Sequence, residues 1–191
     1  MGYYQGMNYI AVFIYYLFKD VGKSYVFLGY IVDRFLASRF GNSLIGLMEL
    51  LFLSDKLIQK DSGMFWRKLN RNKVFSIHFS IPCYMTVFTT NLKAHDPLIK
   101  NMVLELWDVF LAEGFINVLK FMMFLLNEQK DMIYSLNDEA VLMSLKNIET
   151  HPFNVLKVNS VSPQIIEMKT RKFSKQDILK VSFEKGFFSK L

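Results

Sequence analysis

Gly2-Tyr3-Tyr4-Gln5-Gly6-Met7-Asn8-Tyr9-Ile10-Ala11-Val12-Phe13-Ile14-Tyr15-Tyr16-Leu17-Phe18 opens the chain, and from Tyr9 onward it is apolar without a break. Tyr9–Phe18 reads as part of a helix that is apolar on every face, which predicts burial. The run is well short of the roughly 20 residues needed to span a bilayer. It does not fit a secretory signal either. No basic residue precedes it, and Lys19 and Asp20 stand where a small-residue cleavage site would be. Gly6 occupies the position where a myristoylation signal carries Ser or Thr. A second apolar run, Phe115–Leu126, is interrupted only by Asn117 and Lys120 and is also too short to span. The sequence predicts a soluble chain with no transmembrane segment.

Helix signals continue downstream at short intervals. Ser24 predicts a cap for a helix through about Phe40, with Gly41 as its stop. Asn42 predicts the next cap, ahead of Leu44, Leu47, Met48, Leu51 and Phe52 at helical spacing. Asp61 is expected to open a short helix carrying Phe65, Trp66 and Leu69. Val74–Ile81 alternates like a strand but has no partner strand, so it is read as an irregular helix or connector. Asp96-Pro97 is a cap followed by proline at the first helical position, predicting a helix to about Ala112. Gly114 breaks the pattern, and a very apolar helix follows to about Tyr134. Asn137, with Asp138 and Glu139 in the first turn, opens another helix through about Ile148. The fold class predicted is all-α, a multi-helix domain of about eight or nine helices.

Composition supports this. Of 191 residues, 52% are hydrophobic and 21% charged, and only nine are Gly and four Pro. Such a chain buries a sizeable core and is not disordered. One cysteine excludes a disulfide framework and a multi-cysteine zinc site. The net charge of +6 is concentrated at the C-terminal end, where residues 157–191 carry eight Lys/Arg against three Asp/Glu. The body is nearly neutral, unlike a nucleic-acid binder with basic residues grouped on its folded face, so no nucleic-acid partner is expected. Residues 151–173 read as a linker, and 174–191 as a basic C-terminal helix or tail. Ser174 and Asp177 suggest a capping box there, and the lysines suit peripheral contact with an anionic membrane.

Several patterns resemble chemistry and are set aside. Gly22-Lys23-Ser24 looks like the end of a phosphate-binding loop, but Leu17 stands where the first glycine is required. Cys83 follows His78 at a spacing open to a nucleophile and base, yet a lone cysteine among aromatics is read as a small buried hydrophobe. His78, His95 and His151 have no carboxylate or cysteine at metal-ligand spacing, so no metal site is expected. Asp138-Glu139 is explained by its place at a helix start.

The N-terminal block carries more. Gly2–Ala11 resembles the "GYxQGMNxIA" block of TBC domains, which activate Rab-type small GTPases. Leu106-Trp107-Asp108-Val109-Phe110-Leu111-Ala112-Glu113-Gly114 resembles the family's "IWDxFLxEG" segment. Between them, Cys83-Tyr84-Met85-Thr86-Val87-Phe88 takes the place of "WFxxLF", with Cys83 for Trp and Tyr84 for Phe. The resemblance covers residues 1–150, taken as a partial TBC domain. Trp107 is read as core and Asp108 as a local hydrogen-bond acceptor.

The resemblance implies an activator rather than an enzyme with its own substrate. Gln5 would be the glutamine finger that positions the hydrolytic water, Tyr3 its supporting aromatic, and Gly6, Met7 and Asn8 the partner-binding turn that presents it. The partner would be a Rab-type small GTPase. No cofactor of its own is expected, since GTP and Mg²⁺ belong to the partner, and the location implied is cytoplasmic, peripheral on endomembranes. The family's arginine finger lies in an "IxxDxxR" motif upstream of "YxQ", and no such motif occurs in these 191 residues. Arg34 and Arg39 lack the pattern. The expectation is a domain incomplete at its N-terminus, with apolar surface left exposed beside Tyr9–Phe18. The alternative is a non-catalytic Rab-binding or scaffold module that has lost the arginine.

Overall fold

The computed structural model describes residues 3–41, 44–90 and 97–146, and every regular element among them is helical. In chain order these are α1 (Met7–Phe18), α2 (Val21–Ile31), α3 (Ala37–Phe40), α4 (Ile45–Asp61), α5 (Gly63–Arg71), α6 (Ile81–Thr86), α7 (Pro97–Glu113), α8 (Ile116–Ser135) and α9 (Asp138–Lys146). A π-helical segment, Val32–Leu36, joins α2 to α3 without a break, and a 3₁₀ turn at Ser76–His78 precedes α6. The all-α reading is correct. The expected linker 151–173 and tail 174–191, and the caps at Asn42 and Asp96, lie outside the described residues.

Helix α8 is the axis of the assembly. Val118, Leu119 and Phe121–Leu126 are all buried, so the helix is surrounded rather than laid on a surface. α4, α5, α6 and α7 pack around it. Gly114, at φ 88°, turns the chain from α7 into α8 in a conformation that L side chains resist. A buried polar side chain, Asn117, anchors this turn by donating from Nδ2 to Glu113 Oε2 at 3.3 Å. Asn137 Oδ1 accepts from the Ala140 amide at 3.0 Å and caps α9 as its spacing predicts.

Two expected caps are corrected. α2 begins at Val21 rather than at Ser24, because Lys19 is left-handed (φ 53°) and Asp20 extended, which lets Asp20 Oδ1 accept from the Lys23 amide at 2.8 Å. Ser24 lies inside the helix and donates back to the Asp20 carbonyl at 2.6 Å. Asp61 ends α4, while extended Ser62 caps α5 through the Phe65 amide at 3.3 Å. Val74–Ile81 forms the 3₁₀ turn and the entry to α6. Asp55 on α4 holds that turn by accepting from both the amide (2.9 Å) and hydroxyl (2.7 Å) of Ser76.

The predicted burial of Tyr9–Phe18 on every face is also corrected. Ile10, Phe13 and Ile14 are buried on one face, which meets α2 and α6. Val12, Tyr15, Tyr16, Leu17 and Phe18 are exposed, as are Val21, Tyr25, Val26 and Tyr30 on α2. Lys100 of α7 reaches that outer side at Tyr16, donating to its phenol at 2.5 Å, and leaves the side chains named exposed. The apolar surface expected beside Tyr9–Phe18 is therefore present.

Candidate functional site

The segment Tyr3–Gly6 alternates between outside and inside before α1 begins. Tyr3 is 71% exposed and Gln5 is exposed, whereas Tyr4 is 8% exposed and Gly6 is buried. Alternation of this kind belongs to non-helical backbone, whose successive side chains point to opposite sides. The turn closes through the Met7 amide on the Tyr4 carbonyl (3.2 Å) and the Tyr9 amide on the Gly6 carbonyl (3.0 Å). Gly6 is the cap of α1 at φ 102°. A Cβ at Gly6 would lie 3.0 Å from Thr86 Cγ2, so glycine serves both the backbone angle and the close approach to α6.

Among the described residues the Gln5 side-chain amide makes no hydrogen bond, so both of its functions remain available to an incoming group. The five predicted site residues lie together because they are sequential, but they do not face one way. Tyr3, Gln5 and Asn8 are exposed, with the Tyr3 hydroxyl donating to Asn8 Oδ1 at 3.4 Å. Met7 is half-buried against the core, and Gly6 is the inward pivot.

The floor under this turn is the C-terminal end of α6. The Tyr4 hydroxyl donates to the Met85 carbonyl at 3.2 Å, and its ring packs 5.5 Å from that of Phe40 on α3. Burial raises the Tyr4 phenol well above the ordinary tyrosine range, which keeps it a neutral donor. Thr86 Oγ1 donates to the Pro82 carbonyl at 2.7 Å. Val87 and Phe88 then turn left-handed, at φ 49° and 61°. A β-branched residue in that region is strained and persists only where its surroundings over-determine it. They do so here: the Trp107 indole N–H donates to the Val87 carbonyl at 3.1 Å, and the Phe88 amide to the Cys83 carbonyl at 2.9 Å.

Cys83 and Tyr84, which stand where the family segment has Trp and Phe, are core. Cys83 is buried, and His78 Nδ1 is occupied by the Phe75 amide at 3.0 Å. Tyr84 is fully buried and hydrogen-bonds Ser54 Oγ at 2.5 Å. Because Ser54 donates its own proton to the Leu50 carbonyl (2.7 Å), Tyr84 is the donor of the pair. Trp107 is core, as read. Asp108 does not match its expected role: it is exposed and accepts no hydrogen bond among the described residues, interacting electrostatically with Glu105. Arg39 lies over the Phe115 ring at 4.9 Å, its pKa lowered by burial and partly restored by Glu49, while Arg34 is exposed. No group of three potential metal ligands occurs among the described residues.

Sequence reasoning missed Tyr4, Thr86 and Val87. The alternation in Tyr3–Gly6 is a signal that could have found Tyr4. Nothing local identifies the other two, whose partners are distant in the chain.

The model of the Rab-GTPase-TBC domain family matches residues 1–134. The GTPase-activating protein GYP5 of Saccharomyces cerevisiae is 26% identical over 148 residues, which cover 77% of this chain. The chain spans 16% of the length of that relative. No helix among the described residues is long and apolar enough to cross a membrane.

Proposed function

Because this chain belongs to the Rab-GTPase-TBC domain family, we propose that it activates GTP hydrolysis by Rab-type small GTPases, with Gln5 as the group it lends to the partner's site. The observation that carries this reading is the exposed, uncommitted Gln5 amide on a turn whose neighbours on both sides are buried. A small GTPase hydrolyses slowly because its water is poorly oriented and the charge developing on the phosphates is poorly neutralised. The amide carbonyl of Gln5 can accept a hydrogen bond from that water while its NH₂ donates one toward a phosphate oxygen. Holding the nucleophile in line lowers the entropic part of the barrier. Tyr3 and Asn8, on the same exposed side, would contact the partner around the nucleotide. GTP and Mg²⁺ are bound by the partner, and the basic residues of 157–191 would bring the complex to an anionic endomembrane surface from the cytoplasm.

A second reading is a Rab-binding module without catalysis. An arginine finger supplies a factor of about 10³ to 10⁵. Single-turnover GTP hydrolysis by a panel of Rab-type GTPases separates the two. It is measured with the chain alone and with the chain joined to an arginine-bearing TBC segment. Activation is expected with the joined protein, and Gln5→Ala lowers it about 10²-fold, the usual cost of one oriented amide. Activation that survives Gln5→Ala removes the role of Gln5. Binding without activation in either form favours the second reading.

A further inference from the structure

We infer that Tyr4, the residue the family motif leaves unspecified, is the positioning residue for Gln5, holding its turn on the Met85 carbonyl of α6 and the Phe40 ring of α3. What the Gln5 amide does rests on the proposed Rab activation; how it is held does not.

The two adjacent tyrosines have opposite fates. Among the described residues the hydrogen bond of Tyr3 goes to Asn8 in its own segment and does not tie the turn to the body. Tyr4 reaches an acceptor 81 residues away and a ring on a third element. Gly6, on the other side of Gln5, is pressed against Thr86 Cγ2. Gln5 is thus suspended between two inward anchors that both bear on the last turn of α6. That turn is itself held by Trp107 through the Val87 carbonyl. A side chain that must orient a water needs its backbone fixed within about 0.5 Å, since a misplacement near 1 Å costs roughly 10²-fold in rate. Among the described residues Gln5 makes no hydrogen bond of its own that could supply such order.

The test uses Tyr4→Phe in the full chain, which removes one hydroxyl and keeps the ring. Amide hydrogen exchange by NMR is read at Met7 and Tyr9, the two amides that close the turn. The expected result is exchange about 2- to 12-fold faster, the range that follows from one lost hydrogen bond, and a gain larger than at α8. A residue that merely stabilises the fold would speed all amides alike. Equal acceleration, or none at Met7 and Tyr9, overturns the inference whatever the activity. In single-turnover hydrolysis, Tyr4→Phe is expected to lower the maximal rate and leave the half-saturating concentration unchanged. An unchanged maximal rate in Tyr4→Phe, where the wild-type protein activates, also overturns the positioning role. A wild-type protein that activates no Rab counts against the proposed function alone, and the exchange result then decides how the turn is held.

Discussion

Trp107 and Val87 meet where the strained end of α6 is held: the indole N–H donates at 3.1 Å to the carbonyl of a β-branched residue at φ 49°. Both residues are buried, so water cannot replace the bond. Trp107→Phe keeps an aromatic ring in the core but leaves the Val87 carbonyl unpaired, at a cost of about 1–3 kcal/mol. Urea denaturation is expected to show a lower midpoint of that size. A midpoint equal to wild type would mean that the left-handed turn does not depend on Trp107.

Gly6→Ala is expected to destabilise the protein for two separable reasons. The φ of 102° disfavours any L side chain, by about 1–2 kcal/mol. The added methyl would also press on Thr86 Cγ2. Thr86→Ser deletes that methyl and keeps the hydroxyl that donates to Pro82. The double variant Gly6→Ala/Thr86→Ser therefore recovers only the steric part. Full recovery in thermal melts would show that the backbone angle contributes nothing.

Tyr84→Phe and Ser54→Ala should differ, although both break the same bond. Without the phenol, Ser54 still donates to Leu50, and the loss is about 0.5–1.5 kcal/mol. Without the serine hydroxyl, a fully buried phenol has lost its acceptor, and about 1–3 kcal/mol is expected. Removing both groups should cost less than the two single effects added. A double-mutant cycle by chemical denaturation measures this, and strict additivity would rule out the coupling.

Glu105 predicts a pH-dependent effect. Burial, and then the like charge of Asp108, raise its carboxyl above the ordinary 4.5. Below that ordinary value both folded and unfolded chains hold the proton, and Glu105 costs nothing. As pH rises through the higher folded value, the native state must carry a disfavoured carboxylate, and stability falls. Glu105→Gln should therefore raise the melting temperature near pH 7 and leave it unchanged near pH 3. A gain of equal size at both would assign the effect to packing instead of charge.

Where a helix boundary depends on one residue and its immediate neighbours, the sequence was enough. Gly114 turns α7 into α8, Asn137 caps α9, and the apolar run after Phe115 becomes the buried axis. Where two residues could serve, it was not. Asp20 and Ser24 are both good caps, and the choice went to Asp20 because Lys19 leaves the preceding helix in a left-handed conformation. Tyr9–Phe18 looked buried all round because composition reports how apolar a helix is, not how many neighbours it has.

The candidate site divides in the same way. Which residues sit beside one another before α1 is a matter of chain order, and the exposed glutamine could be named from the motif alone. Which of two identical tyrosines turns inward is set by α3 and α6, whose Phe40 and Met85 lie 36 and 81 positions further along from Tyr4. Side-chain type and spacing encode local hydrogen bonding and helical period, because those forces act within a turn or two. The seat of the turn, the left-handed Val87 beneath it and the Trp107 that holds it are contacts between distant segments, and only their packing in space decides them.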